Sequence, residues 1–335
     1  MAAVKLDDIL KDIRNKILHP VYFLMGEETF YIDVISDYLE DNVLTDEEKE
    51  FNLSILYGKD TDVHSIISTA RRFPMMASHH MVIVREAQSL KDLEGLESYL
   101  QSPVQSTILV ICYKYKTLDR RRKLYKDLEK AGVVFEGKKL YDNQVPDWIS
   151  DYVKRKGYRI GPRAVQMLAD HLGSDLGKIV NELNKVFINL KKGEDISIQI
   201  IEENIGISKD FNNFEFQQAL GEKDRFKAFQ IVRYFADNPK ANPLVFTLAI
   251  VYQYFARILI YHGLRDKSRN NVASALSINP FFIPGIQTAA RNHPPEKIVR
   301  IFTWLREYDM KSKGVDNVTA TDGELLKELT YKILS

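Results

Sequence analysis

The chain reads as an α/β domain, a parallel sheet with helices on both faces, followed by two all-α domains. Three observations predict this. Short runs rich in Val, Ile and aromatics alternate with amphipathic segments through the first ~140 residues. Several of those runs are apolar without alternation, as strands covered on both faces require. After Tyr141 such runs stop and helical periodicity continues alone. At 335 residues the chain is also too long for one ordinary core. The expected domains are 1–140, 141–209 and 210–335.

Met1 to Lys16 is a charged amphipathic stretch without the apolar centre of a signal peptide. Strands are expected at Val21–Met25, Leu53–Tyr57, Met81–Val84, Ile108–Cys112 and Val133–Phe135. Between them, Phe30, Val34, Ile35, Tyr38 and Leu39 share one helical face. Asp46, Glu47, Glu48 and Glu50 read as a solvated acidic loop. A second helix runs from Asp62 through Ile66, Ile67 and Ala70, and a third from Leu90 through Leu93, Leu96 and Leu100. A fourth starts at Asp119 as N-cap, carries Leu124, Tyr125 and Leu128, and ends at Gly132.

In the next seventy residues, roughly a domain's worth, four helices are expected. They carry Val145, Trp148, Ile149 and Val153, then Val165, Leu168 and Leu172 after Pro162. The third spans Asp175 to Leu190 with Ile179, Leu183 and Phe187 inward, and the fourth, Ile198 to Ile205, ends near Gly206. The last third is helical in seven segments: Phe214–Leu220, Arg225–Phe235, Pro243–Tyr261, Ala273–Ser277, Phe282–Arg291, Pro295–Lys311 and Gly323–Leu334. Leu244 to Tyr252 is apolar almost all round, as in a helix buried on several sides.

Composition narrows the function classes. The 47 basic and 46 acidic residues leave a net charge of +1, so no global field draws the chain to nucleic acid or membrane. The single cysteine, Cys112, lies in an apolar strand, excludes an internal disulfide and suits a reducing, cytoplasmic setting. No apolar run is expected to reach membrane-spanning length. His79 and His80 are adjacent and point to opposite sides of an extended segment, so no metal site is expected there.

The most informative segment is Val21-Tyr22-Phe23-Leu24-Met25 ending in Gly26-Glu27-Glu28-Thr29. A strand that turns into a helix is where a P-loop ATPase carries its phosphate cradle. That cradle needs several glycines followed by Lys-Ser/Thr, and here one glycine precedes two carboxylates that would repel a triphosphate. Met81–Val84 is followed by Arg85-Glu86 and Ile108–Cys112 by Tyr113-Lys114, so neither strand ends in an Asp-Glu pair. Glu27 and Glu28 diverge at adjacent positions and no nucleophile accompanies them. No catalytic residue and no cofactor are expected.

Four features then fall in order: Tyr22-Phe23-Leu24-Met25-Gly26-Glu27-Glu28-Thr29-Phe30; Phe73-Pro74-Met75-Met76-Ala77-Ser78-His79-His80-Met81-Val82-Ile83-Val84; Lys116-Thr117-Leu118-Asp119-Arg120-Arg121-Arg122-Lys123-Leu124-Tyr125-Lys126; and Leu183-Asn184-Lys185 after Glu182, before an all-helical third. In this order and spacing the chain resembles the delta subunits of bacterial DNA polymerase III, in the clamp-loader family, over essentially its whole length. The resemblance implies a degenerate AAA+-like module at 1–140, a helical lid at 141–209 and a helical collar at 210–335 that joins other clamp-loader subunits. It implies no ATP hydrolysis by this chain, itself one part of a DNA-directed DNA polymerase (nucleotidyltransferase) holoenzyme. Its implied role in replication is to bind the sliding clamp, the beta subunit, and open the ring for loading on primed DNA.

By that resemblance the clamp-contacting pair falls at Met75 and Met76, with Phe73 and Pro74 leading in. Thioethers adapt to an irregular apolar pocket and Pro74 stops the preceding helix. Against this stands the reading that these side chains pack a helix end under the sheet, with Phe73 the first to be core. Arg120, Arg121, Arg122 and Lys123 are candidates for DNA or subunit contact, weighed against a solvated face. Lys311, Lys313 and Lys327 carry the same choice. Two other classes stand beside this one: an active AAA+ ATPase with an atypical phosphate loop, resembling helicase loaders, and a sequence-independent DNA-binding helical protein.

Overall fold

The computed structural model describes residues 4–206, 208 and 211–335. Its contacts divide the chain into two compact units, Met1–Leu140 and Tyr141–Ser335.

In the first unit, helix α1 (Leu6–Arg14) leads into strand β1 (Val21–Gly26), α2 (Thr29–Asn42), α3 (Asp46–Asn52), β2 (Leu53–Tyr57), α4 (Val63–Ala70), β3 (His80–Arg85), the single turn α5 (Glu97–Leu100), β4 (Thr107–Lys114), α6 (Lys123–Ala131) and β5 (Val133–Gly137). The strands are all parallel, in the order β2-β3-β4-β1-β5. β1 shows why both faces need cover. Val21, Phe23 and Met25 enter a core with α4 and α6, while Tyr22 and Leu24 enter the opposite core with α1 and α2. A strand apolar on both faces is stable only between two helical layers. Cys112 is buried in the second core, where desolvation pushes its thiol up to about 11.

All five expected strands are present, and the helices need three corrections. The acidic segment is a helix, α3. Thr45 Oγ1 accepts from the Glu48 N–H at 3.3 Å and Glu48 Oε2 accepts from the Thr45 N–H at 2.9 Å, a reciprocal cap that starts it. The Leu90–Leu100 segment is not one helix. It forms a 3₁₀ turn, Leu93–Leu96, that passes into α5. And α6 begins at Lys123, because Asp119 accepts from the Arg121 N–H at 2.9 Å and closes a local turn instead of capping a helix.

The second unit carries α7 (Val145–Arg155), the two-residue strand β6 (Arg159–Ile160), α8 (Pro162–Leu172), α9 (Leu176–Ile188), β7 (Asp195–Ile196) and α10 (Ile198–Ile205). Parallel pairing of β6 with β7 corrects the expectation that strands end at Tyr141. Then follow α11 (Asn213–Glu222), α12 (Arg225–Asp237), α13 (Leu244–Gly263), α14 (Arg269–Leu276), α15 (Ile283–Asn292), α16 (Pro295–Ser312) and α17 (Asp322–Leu334). One core joins these seven, with Phe216, Ile231, Phe255, Ile298 and Leu329 at its centre. By length and composition α13 is long and apolar enough to cross a bilayer, contrary to the sequence reading. It packs instead against α15 and α16, with Leu248, Val251, Phe255 and Ile258 buried and Val245, Tyr252 and Ile260 exposed.

Candidate partner interface

At the end of β1 the N–H groups that would face a phosphate are already used. Gly26 N–H donates to the Lys116 carbonyl and Glu28 N–H to the Gly137 carbonyl, each at 3.0 Å. Phe30 N–H donates at 3.1 Å to Glu28 Oε1, so the buried Glu28 caps α2. At the ends of the central strands stand cations rather than an acidic pair. Arg85 pairs with Asp37 at 3.1 Å and Glu40 at 2.9 Å, and Lys114 with Asp33 at 2.6 Å, all on α2.

Between α4 and β3 the chain leaves regular structure, and Phe73, Met75 and Met76 are 82%, 61% and 102% exposed. That corrects the reading of Phe73 as core: none of the three packs under the sheet. Pro74 between them is half-buried. Exposed large apolar groups close together in one segment make it a candidate partner surface. Phe51, on α3, is also 66% exposed.

A residue the sequence reading passed over holds this loop. Asn52, at the last turn of α3, is buried. Its Oδ1 accepts from the Met75 N–H at 2.6 Å, and its Nδ2 donates to the Met75 carbonyl at 2.9 Å and the Glu48 carbonyl at 3.0 Å. The available signal was a carboxamide between Phe51 and Leu53, where a helix passes straight into a strand. The next residue, Met76, sits at φ +54°, in the left-handed region, which costs a non-glycine residue about 1 kcal/mol. His80 then opens β3 in the core, with Nε2 3.5 Å from Ser54 Oγ; burial, then the Arg72 charge, lowers its pKa. His79 points the other way and meets Ser78 Oγ at 2.9 Å.

The basic segment is an extended approach to α6, and its charges are individually matched. Arg120 pairs with Glu136 at 2.6 Å, Arg121 with Asp119 at 2.7 Å, Arg122 with Glu94, and Lys123 with Glu97 at 2.6 Å. In the second unit Lys311 and Lys313 pair with Glu307 and Asp309 along α16, each at 2.7 Å. Such exposed pairs contribute little stability, yet they leave no concentrated positive field.

The second unit also holds a cleft of about 1060 Å³ lined by Gln166, Asp170, Gln253 and Arg257. Gln166 donates to Asp170 Oδ1 at 2.7 Å, while Oδ2 is buried without a hydrogen-bond partner. Desolvation pushes this carboxyl up to about 6 against the Gln166 bond and the Arg257 charge. Among the described residues no group of three or more His, Cys, Asp or Glu is placed to hold a metal ion.

Residues 22–138 match the family described as DNA polymerase III, delta subunit. Over 324 residues the chain is 28% identical to the DNA polymerase III subunit delta of Bacillus subtilis (strain 168), covering 92% of each chain. Among solved structures it is similar to the Bacillus subtilis DNA clamp loader delta protein, with a TM-score of 0.54 and 24% identity, covering 98% of this chain and 99% of that one.

Proposed function

From the match of residues 22–138 to the DNA polymerase III delta-subunit family and the 28% identity to the Bacillus subtilis subunit, we propose that the chain is a member of that family, a non-catalytic clamp-loader subunit that binds the sliding clamp and opens its ring for loading on primed DNA. The observation that carries this reading is the solvent-exposed apolar set Phe73, Met75 and Met76, held between α4 and β3. A flexible thioether pair inserting into an apolar pocket has the form of an interface hot spot. Opening requires differential affinity, so the segment must bind the opened ring more tightly than the closed one. Residues 141–209 would then act as a lid and 210–335 as a collar toward the other clamp-loader subunits, in the cytoplasm. Arg120, Arg121, Arg122 and Lys123 are the candidates for contact with DNA or a neighbouring subunit, in competition with their pairing to Glu136, Asp119, Glu94 and Glu97.

The ATPase alternative is disfavoured because the Gly26 and Glu28 N–H groups are spent on carbonyls of the same domain. The test is calorimetric titration against a bacterial sliding clamp, with wild type and Met75→Ala/Met76→Ala. The double variant is expected to bind at least about 30-fold more weakly, the loss of a hot-spot pair, while staying folded. Undiminished binding by the variant moves the contact elsewhere. A wild-type chain that ignores the clamp but binds Mg-ATP favours the ATPase.

A further inference from the structure

We infer that Asn52 is the positioning residue of the clamp-contacting loop: its buried carboxamide fixes the backbone from which Met75 and Met76 project. The inference rests on the reading of Phe73–Met76 as the clamp contact and adds the residue that shapes it.

A buried carboxamide must have its donors and acceptor satisfied, and this one is satisfied largely by the loop. It grips both backbone groups of Met75, 23 residues away in sequence, and ties them to the Glu48 carbonyl of α3. Its base is rigid: α3 is closed at its start by the Thr45–Glu48 cap, and β2, which follows directly, is paired along its length with β3. What it holds cannot hold itself. The Met76 side chain is fully exposed, so its own packing does not stabilise the left-handed conformation of its backbone. A strained, unpacked residue persists only when its surroundings over-determine it. The two bonds to Met75 fix the peptide entering Met76. A loop held in one conformation before contact gives up less freedom on binding.

The experiment is a double-mutant cycle against a bacterial sliding clamp, measured by calorimetry with wild type, Asn52→Ala, Met75→Ala/Met76→Ala and the triple variant. Asn52→Ala is expected to weaken binding by about tenfold, the scale of losing one or two net hydrogen bonds. In the Met75→Ala/Met76→Ala background the same change should move affinity less than about twofold, since a residue acting through those side chains has nothing left to position. Asn52→Asp should behave like Asn52→Ala despite its size, because a carboxylate offers no donor to the Met75 and Glu48 carbonyls. Amide hydrogen exchange should show the Met75 N–H losing protection in Asn52→Ala, with Val82–Val84 in β3 still protected. Equal losses in both backgrounds, unchanged affinity in Asn52→Ala, or retained Met75 protection overturns the inference. If Met75→Ala/Met76→Ala binds like wild type, the clamp-contact reading falls and takes this one with it. If that variant loses binding and Asn52→Ala does not, only the role of Asn52 falls.

Discussion

Gly26 stands where a nucleotide site requires glycine, yet sterics account for it here. Its φ is +133°, and a Cβ at this position would lie 2.2 Å from the Gly137 carbonyl oxygen as β5 passes. The residue is kept by packing, with the neighbouring N–H groups spent on the fold. Asp170 carries the clearest single-residue prediction. Its folded carboxyl titrates near 6, against 3.8 ordinarily, because burial disfavours the charge. The folded state therefore holds this proton more tightly than the unfolded chain. The contribution to stability is complete below about pH 3.8 and is lost as pH rises through about 6, so at pH 7 the ionised group is a net cost. Asp170→Asn is expected to stabilise the chain at pH 7 by about 1–3 kcal/mol. It should also remove the fall in stability between those two values. Urea unfolding across pH checks this, and an unchanged profile refutes it. At this scale legibility was uneven. Met75 and Met76 stood out only through the family resemblance, since an apolar pair beside a proline reads as core just as well. Asn52 did not, because a side chain that bonds backbone 23 residues away leaves no local pattern.

At the scale of elements, α8, α11 and α12 meet at one buried acid. Glu215 on α11 is 3% exposed and pairs with Arg163 of α8 and Lys227 of α12, both more accessible. The asymmetry decides what each deletion does. Removing the acid leaves two cations that can turn to water. Removing both cations strands a carboxylate in the core, which costs about 3–5 kcal/mol. Arg163→Ala/Lys227→Ala should thus destabilise the chain more than Glu215→Ala, by about 1–2 kcal/mol or more, as read from chemical denaturation. The reverse order would mean that the ion pairs are replaced by hydration. The strands were legible because they are short runs rich in Val, Ile and aromatics, most of them apolar throughout, set between amphipathic segments. α3 was not, since three successive carboxylates resemble a loop unless the Thr45-x-x-Glu48 cap is weighed first. The leucines at 90, 93 and 96 mislead for another reason: a spacing of three suits a 3₁₀ turn as well as one face of an α-helix.

For the whole molecule, what matters is that the proposed clamp contact and its supports share one unit. Phe73, Met75, Met76, Asn52, the capped α3 and the β2–β3 pair all lie within Met1–Leu140. That unit covers both faces of its sheet with its own helices, so its two cores close without the rest of the chain. The second unit has a separate core built from α11 to α17. The passage from a sheet with helices to a mostly helical chain was legible because hydrophobic period changes near Tyr141, whereas the tie between α3 and the Met75 backbone depends on tertiary structure. A fragment spanning residues 1–140 is therefore expected to fold alone. It should show helix and strand by circular dichroism and one cooperative melt, and keep clamp affinity within about threefold of the full chain, a difference under about 1 kcal/mol. The 141–335 fragment should not bind. Rim contacts outside the first unit would appear as a modest loss, because peripheral pairs contribute little next to an apolar anchor. A folded 1–140 fragment that has lost more than about a hundredfold, near 3 kcal/mol, would instead put a principal anchor beyond Leu140. It would then be the helical unit, with the exposed side of α13, that a clamp-binding study should search.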